Sequence, residues 1–138
     1  MFSTYLKNLL LNWTSRGVAM PAAPTNLHMS LHNGNPTGTG LAADVTTTVR
    51  VAGRLSIANT SSWNAIGGTG ETRETTNSIL LDFGNSAGAV SGQVTHAALW
   101  DAASGGNCLE FTPLITPITV LTGTPVSVLI GNLKLRLP

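Results

Sequence analysis

The chain has 138 residues, which is enough for one domain with a hydrophobic core and too few for two. Charged residues make up 9% of the chain and the net charge is +1, so neither a basic stripe for nucleic acid nor a basic tail for a membrane surface is expected. Apolar residues make up 42%, and this thin charge complement predicts that part of the surface is covered by another protein.

The first predicted element is a helix over about residues 3–16. Its apolar side chains recur at helical spacing on one face: Leu6, Leu9, Leu10 and Trp13. Ser3 or Thr4 can supply the N-cap, and Gly17 stands just past the end, where glycine is preferred. Because this stretch lacks a long apolar run, neither a cleaved signal peptide nor a membrane span is predicted, and we expect synthesis and assembly in a reducing cytoplasm.

The apolar face of this helix has two interpretations. It either lies across a sheet as a cover for the core or docks on a neighbouring subunit. We expect both roles to be shared, with Leu6 and Leu10 on the sheet and Trp13 near an interface. Tryptophan favours places where one edge meets apolar groups and the other can reach a polar one.

A proline-punctuated linker precedes the first predicted strand, residues 26–32. Leu27, Met29 and Leu31 alternate there with His28, Ser30 and His32, which predicts one buried and one polar face. The two histidines are about 13 Å apart at the rise of a strand, too far to share a metal ion directly. They are interpreted as surface or interface histidines. The glycine-rich stretch 33–40 then predicts a loop.

The middle of the chain predicts a long threonine-rich strand over Thr46 to Ala58, with a bulge or bend at Gly53. Residues 59–77 follow as a long loop in which Trp63 and Ile66 are isolated apolar anchors. Loops of this length usually bind something, so we interpret the segment as an arm that contacts a partner and is mobile without it. The alternative, Glu71 and Glu74 as an acid/base pair, lacks a converging third polar group.

A β-hairpin over residues 91–114 is the clearest structural prediction. Alternating apolar residues lead to a turn in which Asp101 can bond downstream backbone N–H groups. Gly105 and Gly106 supply the positive φ that such loops need. The single cysteine, Cys108, lies in the returning strand without a basic neighbour, which predicts a small buried side chain and not a nucleophile.

Further strands are predicted at 78–83, 118–122, 126–130 and 133–137, the last with a basic outer face. Seven or eight short strands argue for an all-β domain spanning 1–138, an antiparallel β-sandwich or jelly-roll-like barrel with one N-terminal α-helix. His96 and Asp101 are the one pairing that hints at catalysis, and a hydrogen-bonded strand histidine explains it better. No catalytic, cofactor or metal site is predicted.

Much of the chain resembles a family of small tailed-bacteriophage virion proteins of the tail fibre or head decoration type. The resemblance rests on the helix STYLKNLLLNW, the segment PAAPTNLHMSLHNGNP, the block ILLDFGNSAGAVSGQVTHAALWDAASGGNCLEF and the closing VSVLIGNLKLRL. It implies a non-enzymatic virion component, assembled in the host cytoplasm, whose place on the particle is open between head and tail.

Two functions from different classes follow. The first is a structural subunit, either a capsid cement protein or a fibre subunit, that binds major capsid or tail proteins and forms homo-oligomers, with a trimer favoured by the low charge and three tryptophans. The second is a receptor- or carbohydrate-binding module in which Trp63, the histidines and polar loops contact sugar. The interface candidates are Leu6, Leu9, Trp13, Trp63 and Ile66.

Overall fold

The computed structural model describes residues 1–137, and its regular structure is mostly β. Within these residues, two helices, α1 (Thr4–Arg16) and α2 (Thr46–Val49), accompany eight strands. The strands are β1 (Asn26–His32), β2 (Leu55–Ala58), β3 (Arg73–Thr76), β4 (Leu81–Asn85), β5 (Gln93–Trp100), β6 (Cys108–Thr119), β7 (Pro125–Val128) and β8 (Lys134–Leu137). The predicted all-β class with an N-terminal helix is confirmed.

The strands form one sheet and two ribbons, and every pairing is antiparallel. The sheet has four strands in the order β2-β1-β5-β6, while β3 pairs with β8 and β4 pairs with β7. A bridge between Leu114 and Leu133 joins β6 to the start of β8. Side chains of β4, β7 and β8 share one hydrophobic core with the sheet, so the ribbons form the second layer of a β-sandwich.

The face of the sheet that meets this second layer carries the main hydrophobic core. Alternate residues of β1 and β5 supply its centre, because successive side chains of a strand point to opposite faces. Its members from the sheet and the ribbons include Leu27, Met29, Leu31, Ile57, Ala97, Leu99, Leu81, Phe83, Val126, Val128 and Leu133. We call this side of the sheet the core face.

The central hairpin, β5 and β6, is confirmed together with its turn. Asp101 Oδ1 accepts a hydrogen bond from the backbone N–H of Asn107 at 2.7 Å, and its Oδ2 accepts one from the Asn107 side chain at 2.9 Å. Gly106 has a φ of 66°, and a Cβ there would lie 2.4 Å from Asp101 Oδ1. The loop closes in this way because a glycine leaves room for the aspartate.

The predicted long strand over Thr46 to Ala58 is wrong in its first half. Asp44 Oδ1 accepts from the backbone N–H of Thr46 at 2.8 Å, and the short helix α2 begins there. This turn places Val49 in the main core. The chain then reverses at Gly53, whose φ is 80°, before β2 begins. A local aspartate–backbone bond has overridden the strand preference of the threonine run.

The predicted loop over residues 59–77 is wrong in its last part, where β3 forms. Bridges from Trp63 to Asn77 and from Gly67 to Glu74 fold the segment back on itself as an irregular hairpin. β3 then pairs along its length with β8. The pairing partner lies far along the chain, so the local absence of apolar alternation gave no sign of this strand.

The strand predicted at 78–83 begins later, at Leu81. The Asn77 side chain is buried, and its Nδ2 donates to the carbonyl oxygens of Ile79 at 2.8 Å and Leu129 at 2.9 Å. The backbone N–H of Leu133 donates to Asn77 Oδ1 at 3.0 Å. One amide therefore holds residues 78–80 in a turn beside the β7–β8 connection, and the ladder of β4 starts after it.

Candidate functional site

Arg54, at the start of β2, reaches across the sheet to the β5–β6 loop. Its Nη1 donates to the carbonyl oxygens of Ala102 at 2.9 Å and Gly105 at 2.7 Å. Its guanidinium carbon lies 3.6 Å from the centroid of the Trp100 ring, a cation–π contact. The arginine therefore fixes the loop and covers the tryptophan at the same time.

A cleft of about 470 Å³ opens beside this arginine. Its walls come from the start of α1, the loop after β1 and the β5–β6 loop: Thr4, Tyr5, Gly38, Thr39, Leu41, Arg54, Trp100, Gly105, Gly106, Asn107 and Cys108. We call it the Arg54 cleft. Most of its polar groups are hydroxyl, amide and backbone groups, and it was missed from the sequence because three distant segments build it.

The charge of Arg54 is balanced by its surroundings. Burial lowers its pKa, while the nearby carboxylates of Asp44 and Asp101 raise it. A guanidinium stays protonated under all ordinary conditions, so the cleft holds one fixed positive charge with two negative charges near it. The two carboxylates therefore partly offset the positive charge of Arg54.

A buried chain of hydrogen bonds lies beneath the Arg54 cleft. Trp100 Nε1 donates to Ser30 Oγ at 2.8 Å, and Ser30 Oγ lies 2.7 Å from His32 Nε2. His32 Nδ1 lies 2.9 Å from the carbonyl oxygen of Ala42, which can only accept. The proton of the neutral ring is thus on Nδ1, and the serine hydroxyl donates to Nε2. This chain ties strands β1 and β5 to the loop after β1.

The surface interpretation of His32 is wrong, because its side chain is fully buried. Burial lowers its pKa, which keeps the ring neutral. His28 is half-buried on the same face, and His96, opposite His32 on β5, shares a hydrogen bond of 2.9 Å with Thr95 Oγ1. Burial lowers the pKa of His96 as well. The loop after β1 hides this face, and the alternation within β1 gave no sign of that cover.

Cys108 and Gly40 show how closely the loop after β1 packs. A Cβ on Gly40, whose φ is 75°, would lie 2.6 Å from Cys108 Sγ and 2.9 Å from Trp100 Cζ2. Cys108 is buried, and burial raises its pKa to about 11. A protonated, covered thiol is a poor nucleophile, in agreement with the structural role predicted for it.

Helix α1 is anchored to the body at its beginning. Ser3 accepts from the backbone N–H of Leu6 at 3.1 Å, its own N–H donates to the carbonyl oxygen of Leu109 at 3.0 Å, and that of Thr4 donates to Gly38 at 2.9 Å. The helix ends at Gly17, whose φ is 66°. Every residue of α1 is at least partly exposed.

The interface candidates on α1 fall into two groups. Leu6 and Leu9 are half-buried, together with Leu10, whereas Trp13 is 54% exposed and Leu11 is 63% exposed. Leu6 and Leu10 are therefore partly covered and Trp13 is accessible, and a role for Trp13 at an interface stays a prediction. The following segment, residues 17–23, is also exposed and carries no charge.

The two candidates in the 59–77 segment are separated by the structure. Trp63 is half-buried and packs against the main core, whereas Ile66 is 76% exposed. Glu74 lies 3.1 Å from Lys134 Nζ and 3.1 Å from Arg136 Nη2, and hydrogen bonds from these two groups lower its pKa. The carboxylate is thus an ion-pair partner between β3 and β8.

A surface that the sequence did not indicate lies where two connections, residues 78–80 and the β7–β8 connection, meet the middle of β6. The Asn77 amide joins residues 78–80 to Leu129, and the backbone N–H of Ile115 on β6 donates to the carbonyl oxygen of Asn132 at 3.0 Å. The exposed apolar residues on these three segments are Ile79, Leu80, Ile115, Leu129 and Ile130. We call them the end patch. The segments 78–81, 113–116 and 129–133 that carry them contain no charged residue.

Two structural features are absent among residues 1–137: a metal-binding side-chain cluster and a membrane-spanning helix. Within this range no cluster of three or more histidine, cysteine, aspartate or glutamate side chains is arranged to hold a metal ion. No helix in the same range combines the length and the apolar character that crossing a bilayer requires.

An antiparallel β-sandwich with an N-terminal helix and exposed apolar surfaces is typical of a structural protein that works by contact with other proteins. Over residues 1–136 the chain matches the family model described as Podophage GP4 fiber I protein gp80, and it belongs to this family of phage fibre proteins. The resemblance to phage virion proteins is confirmed, and the chain is a virion component with a structural role in a tail fibre. No curated protein matches it.

Proposed function

We propose that the protein is a non-enzymatic fibre subunit that assembles through α1 and the end patch. The observation that carries the proposal is the exposure of large apolar side chains on α1, whose only charges are Lys7 and Arg16, and on the uncharged end patch of a fibre-family protein. Burying one such side chain in a partner stabilises a complex by about 1.5 to 3 kcal/mol. A handful of them is enough to hold an interface whose rim is polar.

Further copies of the chain are the first partners we propose, with a trimer favoured, and tail proteins of the same virion are the second. Self-association suits surfaces without charge, because two identical charged patches would repel each other. Assembly in the host cytoplasm agrees with the protonated, buried Cys108. A position on the head as a decoration protein is the competing placement, and the number of copies on a cryo-EM map of the virion decides between them.

Trp13→Ala tests the role of α1. Trp13 is half-exposed, so its removal should change the free energy of unfolding by about 0.5 kcal/mol or less and still dissociate the oligomer. Sedimentation velocity reads the oligomer, and a thermal melt reads the fold. Asn8→Ala, on the exposed polar side of the same helix, should change neither. A wild-type protein that sediments as a monomer, or a Trp13→Ala oligomer equal to wild type, contradicts the proposal.

Ile130→Ser tests the end patch with a thermal melt and a measurement of incorporation into particles. Ile130 is 64% exposed, so the domain should melt as before while incorporation into particles falls. Val51→Ser, at a residue 79% exposed outside both surfaces, is the matched control. Unchanged incorporation of Ile130→Ser would remove the end patch from the proposal and leave α1.

The second candidate function is a receptor- or carbohydrate-binding module. The predicted sugar contacts do not support it, since Trp63 packs on the core and His32 is buried. The observation in its favour is the Arg54 cleft, which has hydrogen-bonding groups among largely apolar walls and a size suited to a small ligand.

A further inference from the structure

We propose that the Arg54 cleft binds a short neutral saccharide. This inference deepens the second candidate function and rests on it, whereas the fibre-subunit role depends on α1 and the end patch and is tested by assembly. The cleft has a volume of about 470 Å³, within the roughly 300 to 1,000 Å³ of ordinary ligand pockets.

The walls of the Arg54 cleft favour a ligand that both donates and accepts hydrogen bonds. Asn107 uses its Nδ2 on Asp101, which leaves its Oδ1 as an acceptor, and Arg54 uses Nη1 on two carbonyl oxygens, which leaves Nε and Nη2 as donors among residues 1–137. The hydroxyl groups of Thr4, Tyr5 and Thr39 can do either. The hydroxyl groups of a sugar have the same dual capacity.

The backbone also lines the cleft. Gly38, Gly105 and Gly106 present peptide groups without side chains, so a ligand can approach them closely. The Tyr5 ring and the Leu41 side chain add apolar surface for the C–H groups of a sugar ring. Trp100 takes no direct part, because Arg54 covers its face.

The charges around the cleft favour a neutral ligand over a strongly ionic one. Asp101 is bonded to Asn107 in the cleft wall. Together with Asp44 it acts on Arg54, so the attraction of the guanidinium for a phosphate, sulfate or uronate group is partly offset. A cationic ligand would meet the guanidinium itself. A neutral ligand is not repelled by the carboxylates or by the guanidinium, and Arg54 can donate hydrogen bonds to it.

The donors of the cleft are fixed before any ligand arrives. Arg54 is held by Trp100 and by two carbonyl oxygens, Trp100 is held by Ser30, and Asn107 is held by Asp101. A site that is rigid in advance loses little conformational entropy on binding. The buried hydrogen-bond chain from Trp100 to His32 thus also helps to hold Arg54 in position for a ligand.

The test is titration of the full chain with a panel of neutral disaccharides and their sialylated and sulfated counterparts, followed by ¹H–¹⁵N NMR. At least one neutral disaccharide should give saturable shifts of the Arg54 Nε–H, Trp100 Nε1–H and Asn107 side-chain signals. Arg54→Lys should weaken that binding at least tenfold, and Thr39→Val should weaken it less. Arg73→Lys, on β3 and outside the cleft, should bind as wild type.

Three results would overturn the inference: no neutral disaccharide shifts these signals, acidic saccharides bind more tightly than their neutral counterparts, or Arg54→Lys binds like wild type. Thr39→Val is an independent second variant in case Arg54→Lys loosens the β5–β6 loop. It should leave the fold unchanged, because the Thr39 side chain is exposed and bonds Thr37 alone among residues 1–137. Sedimentation of the same variants separates the two proposals. A wild-type oligomer that binds no saccharide refutes this inference and leaves the fibre role standing.

Discussion

The two faces of the four-stranded sheet are buried by different means. The core face is apolar and meets the two ribbons, with Met29 and Leu31 at its centre. The opposite face carries Ser30, His32 and Trp100, which are equally buried but hydrogen-bonded to one another and to the loop after β1. We call this second side the polar face.

The difference shows that the two faces of one sheet have separate roles: one supplies stability, and the other fixes the positions of particular side chains. Burial on the core face is non-directional and gives most of the folding free energy. The hydrogen bonds of the polar face are directional, so they fix where Trp100 and, through it, Arg54 lie. The Arg54 cleft stands on the polar face for that reason.

Met29→Ala should produce the largest loss of stability. Met29 is 0% exposed on the core face, and truncation of such a residue costs about 2 to 5 kcal/mol of unfolding free energy. Urea denaturation measures the loss. Met20→Ala, at an exposed methionine of the linker, should stay close to wild type. Equal effects of the two changes would show that the core face does not dominate stability.

Ser30→Ala should produce a smaller loss with a local signature. It leaves Trp100 Nε1 and His32 Nε2 without their partner, and an unsatisfied buried group costs about 1 to 3 kcal/mol. The indole N–H signal of Trp100 should also move, because its acceptor is gone. Ser56→Ala, at an exposed serine on the same face of β2, is the control. An unmoved indole signal would refute the role given to the polar face.

Glu110→Gln should be the smallest effect and should depend on pH. Glu110 is buried opposite Leu99 with the N-terminal ammonium 3.7 Å away, and its Oε1 has no hydrogen-bond partner among residues 1–137. Burial raises the pKa of this carboxyl, so the folded state keeps its proton to a higher pH than the unfolded state does. Wild-type stability is therefore fullest below the unfolded pKa of about 4.3 and declines as pH rises through the folded pKa.

The glutamine variant should accordingly unfold at a higher temperature than wild type at pH 7, and the advantage should vanish near pH 4. Melts across this range measure it, with Glu71→Gln at an exposed position as control. If Glu110→Gln is less stable than wild type at pH 7, the attraction to the ammonium outweighs the cost of burial.

The elements predicted correctly are those whose signals are local. The helix carries its own cap at Ser3 and its own stop at Gly17, and the hairpin carries Asp101 beside its glycines. α2 was missed because the side chain of Asp44 decides the conformation of Thr46. β3 was missed because it depends on β8, which lies far along the chain.

The sites depend on the same distinction. Trp13 on α1 was identified because helical spacing places it on a face that can be counted along the sequence. The Arg54 cleft and the end patch could not be predicted, since each is built from three segments that meet only in the folded chain. Ile66 and Trp63 looked alike in sequence, and it is the packing of Trp63 on the core that separates them.

The N-terminal segment, which consists of α1 and the linker that follows it, is hydrogen-bonded to the body of the domain at both of its ends. Ser3 is bonded to Leu109 on β6, and the carbonyl oxygens of Pro24 and Thr25 accept hydrogen bonds from Asn59 just ahead of β1. A mechanical load applied to the middle of this segment is therefore divided between β6 and β1. These two strands flank β5, so such a load is spread across the sheet and is not carried by a single edge strand.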